Sequence, residues 1–404
     1  MNIDEQVTYL MRGTEYGDPN THREMAKELR ERLAESEKTG KPLRVYCGYD
    51  PRTSDLHIGH TVTMRKLRQF QELGHHVIFV IGTYTALIGD PSDKDKLRPQ
   101  LSTEEARVNA ETYAEQAFRI LDREKTEIRF NAEWLSELTL KDLIYLASNF
   151  TIQQFLTRVN FRERWDKEEA VYLHELFYAL MQGYDAYALD ADVQVGGTDQ
   201  MFNIMTAARK IMVFYGKKPN IGIILGILPG TDGEVKMSKS LGNHIPLNTT
   251  PEDMFGKVMS IPDKAMSSYA RLVTRWTVDK IESFEAAIKK GEVHPRDAKM
   301  ALAEEITAAF FDEEKAKAAK KYFINLFQKG DTPDEIPTFK PAGEPVLLDI
   351  LVDSGLVKSK SQARRLIQQN GVKIDGETAS DPYLVLTPPV VVQVGKRRFV
   401  EVIG

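Results

Sequence analysis

The feature that most constrains this 404-residue chain is the alternation of short apolar segments with longer helical ones. Leu43 to Tyr49 and His76 to Thr85 are β-prone, and Ile58 to Leu73 between them has helical spacing up to Gly74. Later strand candidates are Ile128 to Asn131, Val193 to Gly197 and Ile221 to Leu228. Strands that alternate with helices of this length predict βαβ units and a parallel sheet in an α/β fold.

Helical patterns account for most of the remaining chain. They run from about Asp4 to Ser36, from Thr103 to Leu121, from Trp134 to Ala188 as an insertion in the sheet, from near Asp199, and from Pro251 to about Lys329. A Pro/Gly-rich segment from Thr332 to Gly343 then predicts a linker. The last 60 residues combine two helices, Val346 to Ser354 and Ser361 to Gln369, with short strands broken at Asn370-Gly371, Asp375-Gly376 and Pro388-Pro389. We predict boundaries at 1–248 (insertion about 132–190), 249–331, a linker 332–344, and 345–404.

Composition excludes several classes of protein. The 42% hydrophobic and 28% charged residues are ordinary for a globular protein, and no stretch approaches the roughly 18 apolar residues of a membrane span. The N-terminus lacks the basic and apolar regions of a secretory signal. The single cysteine, Cys47, excludes an internal disulfide and a cysteine-based zinc cluster. We therefore expect a cytoplasmic location.

Charge is unevenly distributed along the chain. The whole chain carries −5, but the stretch from Pro345 to Gly404 has eight Lys/Arg and six Asp/Glu, a net of +2 against −7 for the rest. A mildly basic tail fits a local contact with RNA, and it equally fits a small solvated domain.

The first motif is His57-Ile58-Gly59-His60, which follows Gly48-Tyr49-Asp50-Pro51. We expect a helix to begin at or just after His57, so that its N-terminus and two histidines one turn apart face a phosphate. Gly59 would let a nucleotide lie against the backbone. The alternatives are a pair of surface histidines, or a two-histidine metal site that has no nearby third ligand.

The second motif is the segment from Lys236 to Ser240, Lys-Met-Ser-Lys-Ser, which we name the lysine loop. Two lysines three residues apart on a mobile loop can reach the β- and γ-phosphates of ATP. The alternative is a solvated basic turn. Both motifs, however, occur in order on opposite sides of a βαβ pattern, and chance explains that combination poorly.

With both motifs in place, the chain resembles a class I aminoacyl-tRNA synthetase over almost its whole length. Further residues narrow the resemblance to the tyrosyl-tRNA synthetases. It implies a Rossmann-like catalytic domain with a helical insertion, an α-helical anticodon-binding domain and a small α+β domain like that of ribosomal small-subunit protein four.

The residues Tyr178, Gln182 and Asp185 have the spacing of one helix face. By spacing they could form a partly exposed polar stripe. The resemblance implies instead that Tyr178 and Gln182 hold the α-ammonium of the amino acid, and that Asp185 and Tyr46 contact its phenolic hydroxyl.

Two glycine-containing segments carry further expected site residues. In Val195 to Gln200, the resemblance implies that Asp199 binds the ATP ribose and Gln200 orients the substrate carboxylate, although Asp199 could also be a helix N-cap. After Gly89, it implies that Asp90 completes the ammonium site and that Lys94 and Arg98 reach pyrophosphate.

The complete set of implied roles is as follows. Catalytic residues are His57, His60, Lys236 and Lys239; ATP-binding residues are Gly48, Asp50, Gly59, Gly197, Asp199, Lys94, Arg98 and Ser240; tyrosine-binding residues are Tyr46, Asp90, Tyr178, Gln182, Asp185 and Gln200. The implied substrates are ATP with Mg²⁺, L-tyrosine and tRNA(Tyr), with no protein-bound metal, and the implied assembly is a homodimer. One departure is Arg52, where the family commonly has threonine; we leave it outside the site. Cys47 matches a family position near the ribose but is explained by burial on a strand.

The tail resemblance rests on the stretch from Ser359 to Lys373. It implies RNA binding through cations on an exposed helix face and the turn after it, namely Lys360, Arg364, Arg365 and Lys373. Three alternatives to the whole assignment stay open here: a tryptophanyl enzyme, a small-molecule nucleotidyl transferase, and a non-catalytic RNA-binding protein on a synthetase scaffold.

Overall fold

The computed structural model describes residues 1–51, 56–91, 109, 112–326, 336–341, 343–395 and 398–403. The chain forms two compact units, Met1–Lys317 and Ala318–Gly404. The first contains both the predicted sheet region and most of the predicted helical region, and the boundaries at 248 and 331 stay predictions. Within the described ranges, none of the helices combines the length and the hydropathy that a bilayer crossing requires.

The core of the first unit is a five-stranded parallel sheet in the order β3-β2-β1-β4-β5. The strands are β1 (Arg44–Tyr49), β2 (His76–Ile81), β3 (Thr126–Phe130), β4 (Val193–Gly197) and β5 (Ile221–Leu225). The predicted α/β fold with a parallel sheet is confirmed. The strand order reverses between β1 and β4, and the carboxyl ends of these two strands open a crevice of the kind that binds ligands in such sheets.

Helices connect the strands and continue beyond them. The described ones are α1 (Ile3–Met11), α2 (Pro19–Thr39), α3 (Thr61–Glu72), α4 (Ala132–Leu135), α5 (Leu140–Ala147), α6 (Ile152–Phe155), α7 (Val159–Asp166), α8 (Leu173–Ala188), α9 (Arg209–Phe214), α10 (Pro251–Met259), α11 (Met266–Val273), α12 (Val278–Lys290), α13 (Pro295–Phe310), α14 (Glu313–Ile324), α15 (Leu347–Asp353) and α16 (Lys360–Gln368). Helices α4 to α8 form the predicted insertion between β3 and β4. The predicted helix from Thr103 to Leu121 lies partly outside the described residues, and residues 112–117 are helical.

Burial on both faces explains why the strands read as continuous apolar runs. Val77 to Ile81 of β2 and all of β5 are buried. Tyr46, Ile78 and Val80 pack in one cluster with buried residues in or next to helices α8 and α9. Parallel strands covered on both faces lack the polar–apolar alternation of a half-exposed sheet.

Some predicted element ends are wrong, and for α3 the reason is a contact with distant backbone. Helix α3 begins four residues after His57, since Ile58 N donates to Ile245 O at 2.9 Å and His57 bridges to Pro246. Strand β2 ends at Ile81, where the chain turns into a short 3₁₀ segment, Thr85–Leu87. Strand β5 ends at Leu225 and not at Leu228.

Two predicted helical segments are also irregular. The opening pattern is two helices, α1 and α2, separated by a turn in which Gly13 and Gly17 have φ of +76° and +70°. After β4 the chain forms a 3₁₀ turn, Thr198–Gln200, and then a π-helical segment, Phe202–Ala208, before α9. Such π segments are frequent at functional sites because they re-aim side chains.

The second unit has its own core. Its strands are β6 (Thr338–Phe339), β7 (Val372–Ile374), β8 (Glu377–Thr378), β9 (Val390–Val394) and β10 (Arg398–Val402), in the order β6-β10-β9-β7-β8. Helices α15 and α16 cover this sheet through Leu347, Leu351 and Ile367. The predicted turn residues Asn370 and Asp375 have positive φ, at +56° and +47°.

The contact between α8 and the π segment makes a testable prediction about stability. A Cβ on Gly183 would lie 2.7 Å from Ile211 Cδ1 and 3.2 Å from Ala207 O. We expect Gly183→Ala to lower the free energy of unfolding by about 1–3 kcal/mol through overpacking, measured by urea unfolding. Gly256→Ala in α10 is the matched control, since its Cβ would meet no atom within 4 Å, and it should be neutral or stabilising. Equal effects of both substitutions would contradict the overpacking argument.

Candidate active site

The predicted site residues of the described catalytic region gather at the crevice between β1 and β4. Tyr46 and Gly48 lie on β1 and Asp50 follows it, Gly197 ends β4, and the 3₁₀ turn after it carries Asp199 and Gln200. The His57–His60 motif precedes α3. Helix α8 contributes further residues to the crevice. The sheet topology therefore assembles residues that are far apart in sequence.

Asp185 is a buried carboxyl group on α8. Its residue is 4% exposed, Oδ1 accepts from Trp134 Nε1 at 2.7 Å, and Oδ2 accepts from Asn131 Nδ2 at 3.4 Å. Burial raises the pKa of Asp185 to about 8, against the opposing effect of these two donors. Tyr46 is buried beside it and its hydroxyl donates to Gln182 O at 3.4 Å. Burial and the nearby Asp185 raise the pKa of Tyr46 well above its usual value.

A chain of hydrogen bonds links Asp185 to a second carboxyl group, Asp50. Asn131 Nδ2 also donates to Thr85 Oγ1 at 3.1 Å, and the Thr85 hydroxyl donates to Asp50 Oδ1 at 2.7 Å. Tyr178 OH donates to Asp50 Oδ2 at 3.0 Å. We call these five residues, Tyr178, Asp50, Thr85, Asn131 and Asp185, the carboxyl network. Because Tyr178 and Asp185 are buried within it, the alternative of a partly exposed polar stripe on α8 is wrong.

A second polar cluster lies next to Tyr178. Gln200 Nε2 donates to Asp90 Oδ2, and Asn203 Nδ2 donates to Gln182 Oε1 at 2.9 Å and to Gln200 Oε1 at 3.0 Å. Asn203 belongs to the π segment and is fully buried. Asn203, which the sequence did not single out, thus joins Gln182 to Gln200, and Gln200 in turn bonds directly to Asp90.

Arg158 is a buried cation at the edge of this cluster. Its side chain is 5% exposed, and its Nη2 lies 3.9 Å from Asp90 Oδ1. The guanidinium stacks near Phe161 and Phe202, with its Cζ 4.7 and 5.5 Å from the ring centroids. Burial lowers the pKa of Arg158, and the Asp90 carboxylate opposes that effect.

His57 and His60 stack before the first turn of α3. Their ring centroids are 3.8 Å apart, and His57 N donates to His60 Nδ1 at 3.2 Å. Burial, with the charges of His60, His244 and Lys236 acting in the same direction, lowers the pKa of His57 to about 2. His57 is therefore a neutral donor or acceptor at physiological pH.

Gly59 brings the two motifs into contact. A Cβ on Gly59 would lie 2.9 Å from His57 Nδ1 and 3.5 Å from Met237 Cβ. The glycine thus lets the histidine motif and the lysine loop pack closely, in addition to the predicted approach of a nucleotide. Gly48, by contrast, has no atom within 4 Å of an added Cβ.

The lysine loop is held to the body by its flanks. Gly230 N donates to Val235 O at 2.7 Å, and Ser238 N donates to Asn243 Oδ1 at 2.8 Å. Lys236 Nζ lies 2.8 Å from Asp199 Oδ2, whereas Lys239 and Ser240 are exposed. The N-cap positions of the 3₁₀ turn and of the π segment are Gly197 and Met201, so Asp199 is the N-cap residue of neither.

Three residues weighed in the sequence lie outside the described part of the chain, namely Lys94, Arg98 and Arg52. Among the residues that are described, no group of three His, Cys, Asp or Glu side chains has the geometry of a metal site. The two-histidine metal alternative for His57 and His60 therefore gains no third ligand from the described residues.

In the second unit, Arg364, Arg365 and Lys373 are exposed as predicted. Ala363 and Ile367 turn into the core, so α16 presents both arginines outward. Lys360 is paired with Asp349, at 2.5 Å between Nζ and Oδ1, and this contact raises the pKa of Lys360. The positive charge of Lys360 is thus partly neutralised by a carboxylate of the same unit.

Sequence reasoning missed the residues that support the predicted ones. They are Thr85, Asn131, Trp134, Arg158 and Asn203. Asn131 and Trp134 carried a usable signal, because they lie at or just after the carboxyl end of a predicted strand, where parallel sheets place their sites. No local sequence pattern predicts the contact between Arg158 and Asp90.

Family comparisons agree with this architecture. Residues 37–328 match the family described as tRNA synthetases class I (W and Y), and residues 347–389 match the S4 domain. The chain is 47% identical over 386 residues to the tyrosine–tRNA ligase of Carboxydothermus hydrogenoformans, covering 93% of this chain and 94% of the relative. It is also 47% identical to that of Thermotoga maritima, covering 94% of each.

Solved structures share the fold. The tyrosyl-tRNA synthetase of Archaeoglobus fulgidus, complexed with L-tyrosine, superposes with a TM-score of 0.60 at 24% identity, covering 79% of this chain and 100% of that one. A C-terminally truncated mitochondrial tyrosyl-tRNA synthetase of Aspergillus nidulans gives 0.62 at 21% identity, covering 80% and 94%.

The raised pKa of Asp185 predicts a pH-dependent cost to folding. Between pH 3.8, where an unfolded Asp185 ionises, and about 8, the native state binds one more proton than the unfolded state. Stability from this group is therefore complete below the lower value and is lost as pH rises, by up to about 1.4 kcal/mol per pH unit. Asp185→Asn cannot titrate. We expect the unfolding free energy of the wild type, relative to Asp185→Asn, to fall from about pH 5 to about pH 8.

Urea unfolding of both proteins across that range measures the difference. A difference that stays constant with pH would contradict the raised pKa.

Proposed function

The chain belongs to the tyrosine–tRNA ligases of the class I aminoacyl-tRNA synthetases, and on that premise we propose how its residues divide the reaction. The enzyme activates L-tyrosine with ATP to tyrosyl-adenylate and pyrophosphate, and then transfers the tyrosine to the 3′ end of tRNA(Tyr). ATP enters with its Mg²⁺ as the substrate complex. Membership of this family replaces the alternatives of a tryptophanyl enzyme, a small-molecule nucleotidyl transferase and a non-catalytic RNA-binding protein.

Asp185 and Tyr46 select the phenolic hydroxyl of tyrosine. The observation that carries this assignment is the buried Asp185 carboxyl, held by Trp134 and Asn131. A phenol both donates and accepts a hydrogen bond, so it can pair with either protonation state of Asp185. Phenylalanine offers neither. Discrimination between these two substrates by this family of enzymes is the standard example of rejection by unpaired polar groups.

The other end of the substrate faces the cluster around Asp90. Tyr178, Gln182 and Asp90 bind the α-ammonium, while Gln200 orients the carboxylate. Arg158 acts on this site through Asp90 and is a positioning residue, because its guanidinium compensates the charge of a partly buried carboxylate.

The nucleotide lies across the carboxyl ends of β1 and β4. Gly48 and Gly59 leave room for it, Gly197 and Asp199 receive the ribose, and Asp50 lies between nucleotide and tyrosine. We also assign the ion pair of Lys236 with Asp199 a part in this step: the ribose has to displace Lys236, which then becomes available to phosphate.

The chemistry needs no side-chain nucleophile. The tyrosine carboxylate attacks the α-phosphorus in line, the bond to pyrophosphate breaks, and positioning with charge stabilisation lowers the barrier. His57, which is neutral, and His60 donate hydrogen bonds to the phosphates, and Lys236, Lys239 and Ser240 close over the leaving pyrophosphate. Lys94 and Arg98 are proposed to assist there. In the second step a terminal ribose hydroxyl of tRNA attacks the adenylate carbonyl, and AMP leaves.

We further propose that tRNA is held by Lys360, Arg364, Arg365 and Lys373, that the enzyme is a cytoplasmic homodimer, and that the insertion forms the dimer interface. The support for dimerisation is a set of large apolar side chains exposed on the insertion, each between 46% and 74% exposed: Leu140, Ile144, Tyr145, Ile152, Val159, Trp165, Tyr172 and Leu173. Exposed apolar residues at this density are typical of protein interfaces.

Removal of the phenol contact should erode amino-acid selectivity. In Asp185→Ala, we expect the kcat/KM advantage of tyrosine over phenylalanine to fall by about 10- to 100-fold, since one buried hydrogen-bonding group is lost. Amino-acid-dependent pyrophosphate exchange measures both substrates. Asp190→Asn is the control, because Asp190 lies just beyond α8 in a surface ion pair with Lys217. Unchanged selectivity in Asp185→Ala would refute the assignment of the phenol site.

The proposed dimer interface can be tested with one charge. Ile144 is 60% exposed on α5, one turn after Leu140. We expect Ile144→Arg to convert the dimer to a monomer in sedimentation experiments, because a buried unpaired cation at the interface costs several kcal/mol. Val293→Arg, at an exposed apolar position between α12 and α13, should leave the mass unchanged. A dimer that survives Ile144→Arg would place the interface elsewhere.

A further inference from the structure

Three consecutive large apolar residues are exposed in the second unit. Tyr383, Leu384 and Val385 are 61%, 42% and 48% exposed. We call them the Tyr383 ledge. Single exposed apolar residues are unremarkable, but three in succession on a structured segment indicate a contact surface.

Backbone hydrogen bonds hold the ledge rigidly. Leu347 N and Leu348 N, at the start of α15, donate to Leu384 O at 2.9 Å and to Pro382 O at 3.0 Å. Tyr383 N donates to the Asp381 carboxylate at 2.9 Å. The Tyr383 ring therefore projects from a fixed loop, and a partner would not have to order that loop on binding.

A guanidinium group borders the ring. Arg364, on the exposed face of α16, donates from Nη2 to the Tyr383 hydroxyl at 3.3 Å. Arg365 is exposed beside it, whereas Lys360 is engaged by Asp349. Proteins that bind single-stranded nucleic acids combine an exposed aromatic ring with neighbouring arginine side chains. The base stacks on the ring, and a phosphate contacts the guanidinium.

We propose that Tyr383 is a stacking platform for an unpaired nucleobase of the bound tRNA, with Arg364 placed to contact a neighbouring phosphate. The inference rests on the proposed RNA binding by this unit and adds what kind of RNA feature it recognises. Charge favours RNA over an acidic or apolar protein partner, because the stretch from Pro345 to Gly404 is net positive in a chain that is net negative.

The test uses the full-length enzyme, a tRNA(Tyr) transcript and fluorescence anisotropy at several salt concentrations. We expect Tyr383→Ala to weaken tRNA binding by about 5- to 100-fold, as for the loss of one stacked base. The slope of log affinity against log salt should not change, because no phosphate contact is lost. Tyr383→Phe and Tyr383→Trp should stay within about threefold of the wild type, since they keep an aromatic face.

Arg364→Gln provides the contrasting variant. It should weaken binding and also reduce the salt slope by about 0.7–0.9, the signature of one lost phosphate contact. Thr387→Ala, at an exposed position in the same loop, should behave as the wild type. Tyrosine-dependent pyrophosphate exchange in Thr387→Ala should match the wild type, and the same assay on the other variants verifies that the first unit is folded and active.

Several results would overturn the proposal. One is an unchanged tRNA affinity in Tyr383→Ala, and another is an equal loss of tRNA affinity in Tyr383→Ala and Tyr383→Phe. The third is a change in the oligomeric mass of Tyr383→Ala without a change in its tRNA affinity. The last result would make the ledge an interface with a second copy. Failure of the proposed RNA binding is distinguishable, because the salt slope would then be unaffected by Arg364→Gln as well.

Discussion

Asp50 and Asp185 are carboxyl groups at the carboxyl end of a parallel sheet, and Asp185 is almost fully buried, so hydrogen-bond donors have to reach both of them. Thr85, Asn131 and Tyr178 supply donors from three separate parts of the fold. The positions of the loop after β2, the end of β3 and helix α8 are thereby fixed relative to β1. The dimensions of the proposed tyrosine site follow from this hydrogen bonding as much as from apolar packing, because moving any one element leaves a polar group of the network without a partner.

In the proposed site, a neutral hydrogen-bond donor is buried, whereas the cations lie on exposed side chains. His57 is buried and its pKa is lowered to about 2, so it can hydrogen-bond a phosphate oxygen without carrying a charge into a desolvated crevice. The positive charges reside instead on exposed side chains such as Lys239, and on Lys236, which is paired with Asp199. In the proposed mechanism, the lysine loop delivers positive charge to the phosphates, while the buried part of the site keeps its geometry.

Sequence periodicity predicted the parts of this design that depend on local order. The strands were found because burial on both faces makes them continuously apolar, and Tyr178 and Asp185 were placed on one face by helical spacing. What failed depends on distant contacts: α3 starts late because Pro246 and its neighbours hold the residues before it, and Arg158 was missed because its partner Asp90 is 68 residues away. Asn131 lies between these cases, since only the topology rule for strand ends points to it. The roles of the site residues stay predictions.

The raised pKa of Asp185 also bears on how the enzyme tells tyrosine from phenylalanine. Two donors, Trp134 and Asn131, do not fully compensate its charge, since burial still holds the pKa near 8. A phenol that donates a third hydrogen bond favours the ionised form, so tyrosine binding and release of the Asp185 proton are linked. Phenylalanine provides no such donor and leaves the carboxyl protonated or its charge under-compensated. In the proposed site, selectivity then arises from a buried carboxyl group that gains a further hydrogen-bond partner when tyrosine binds.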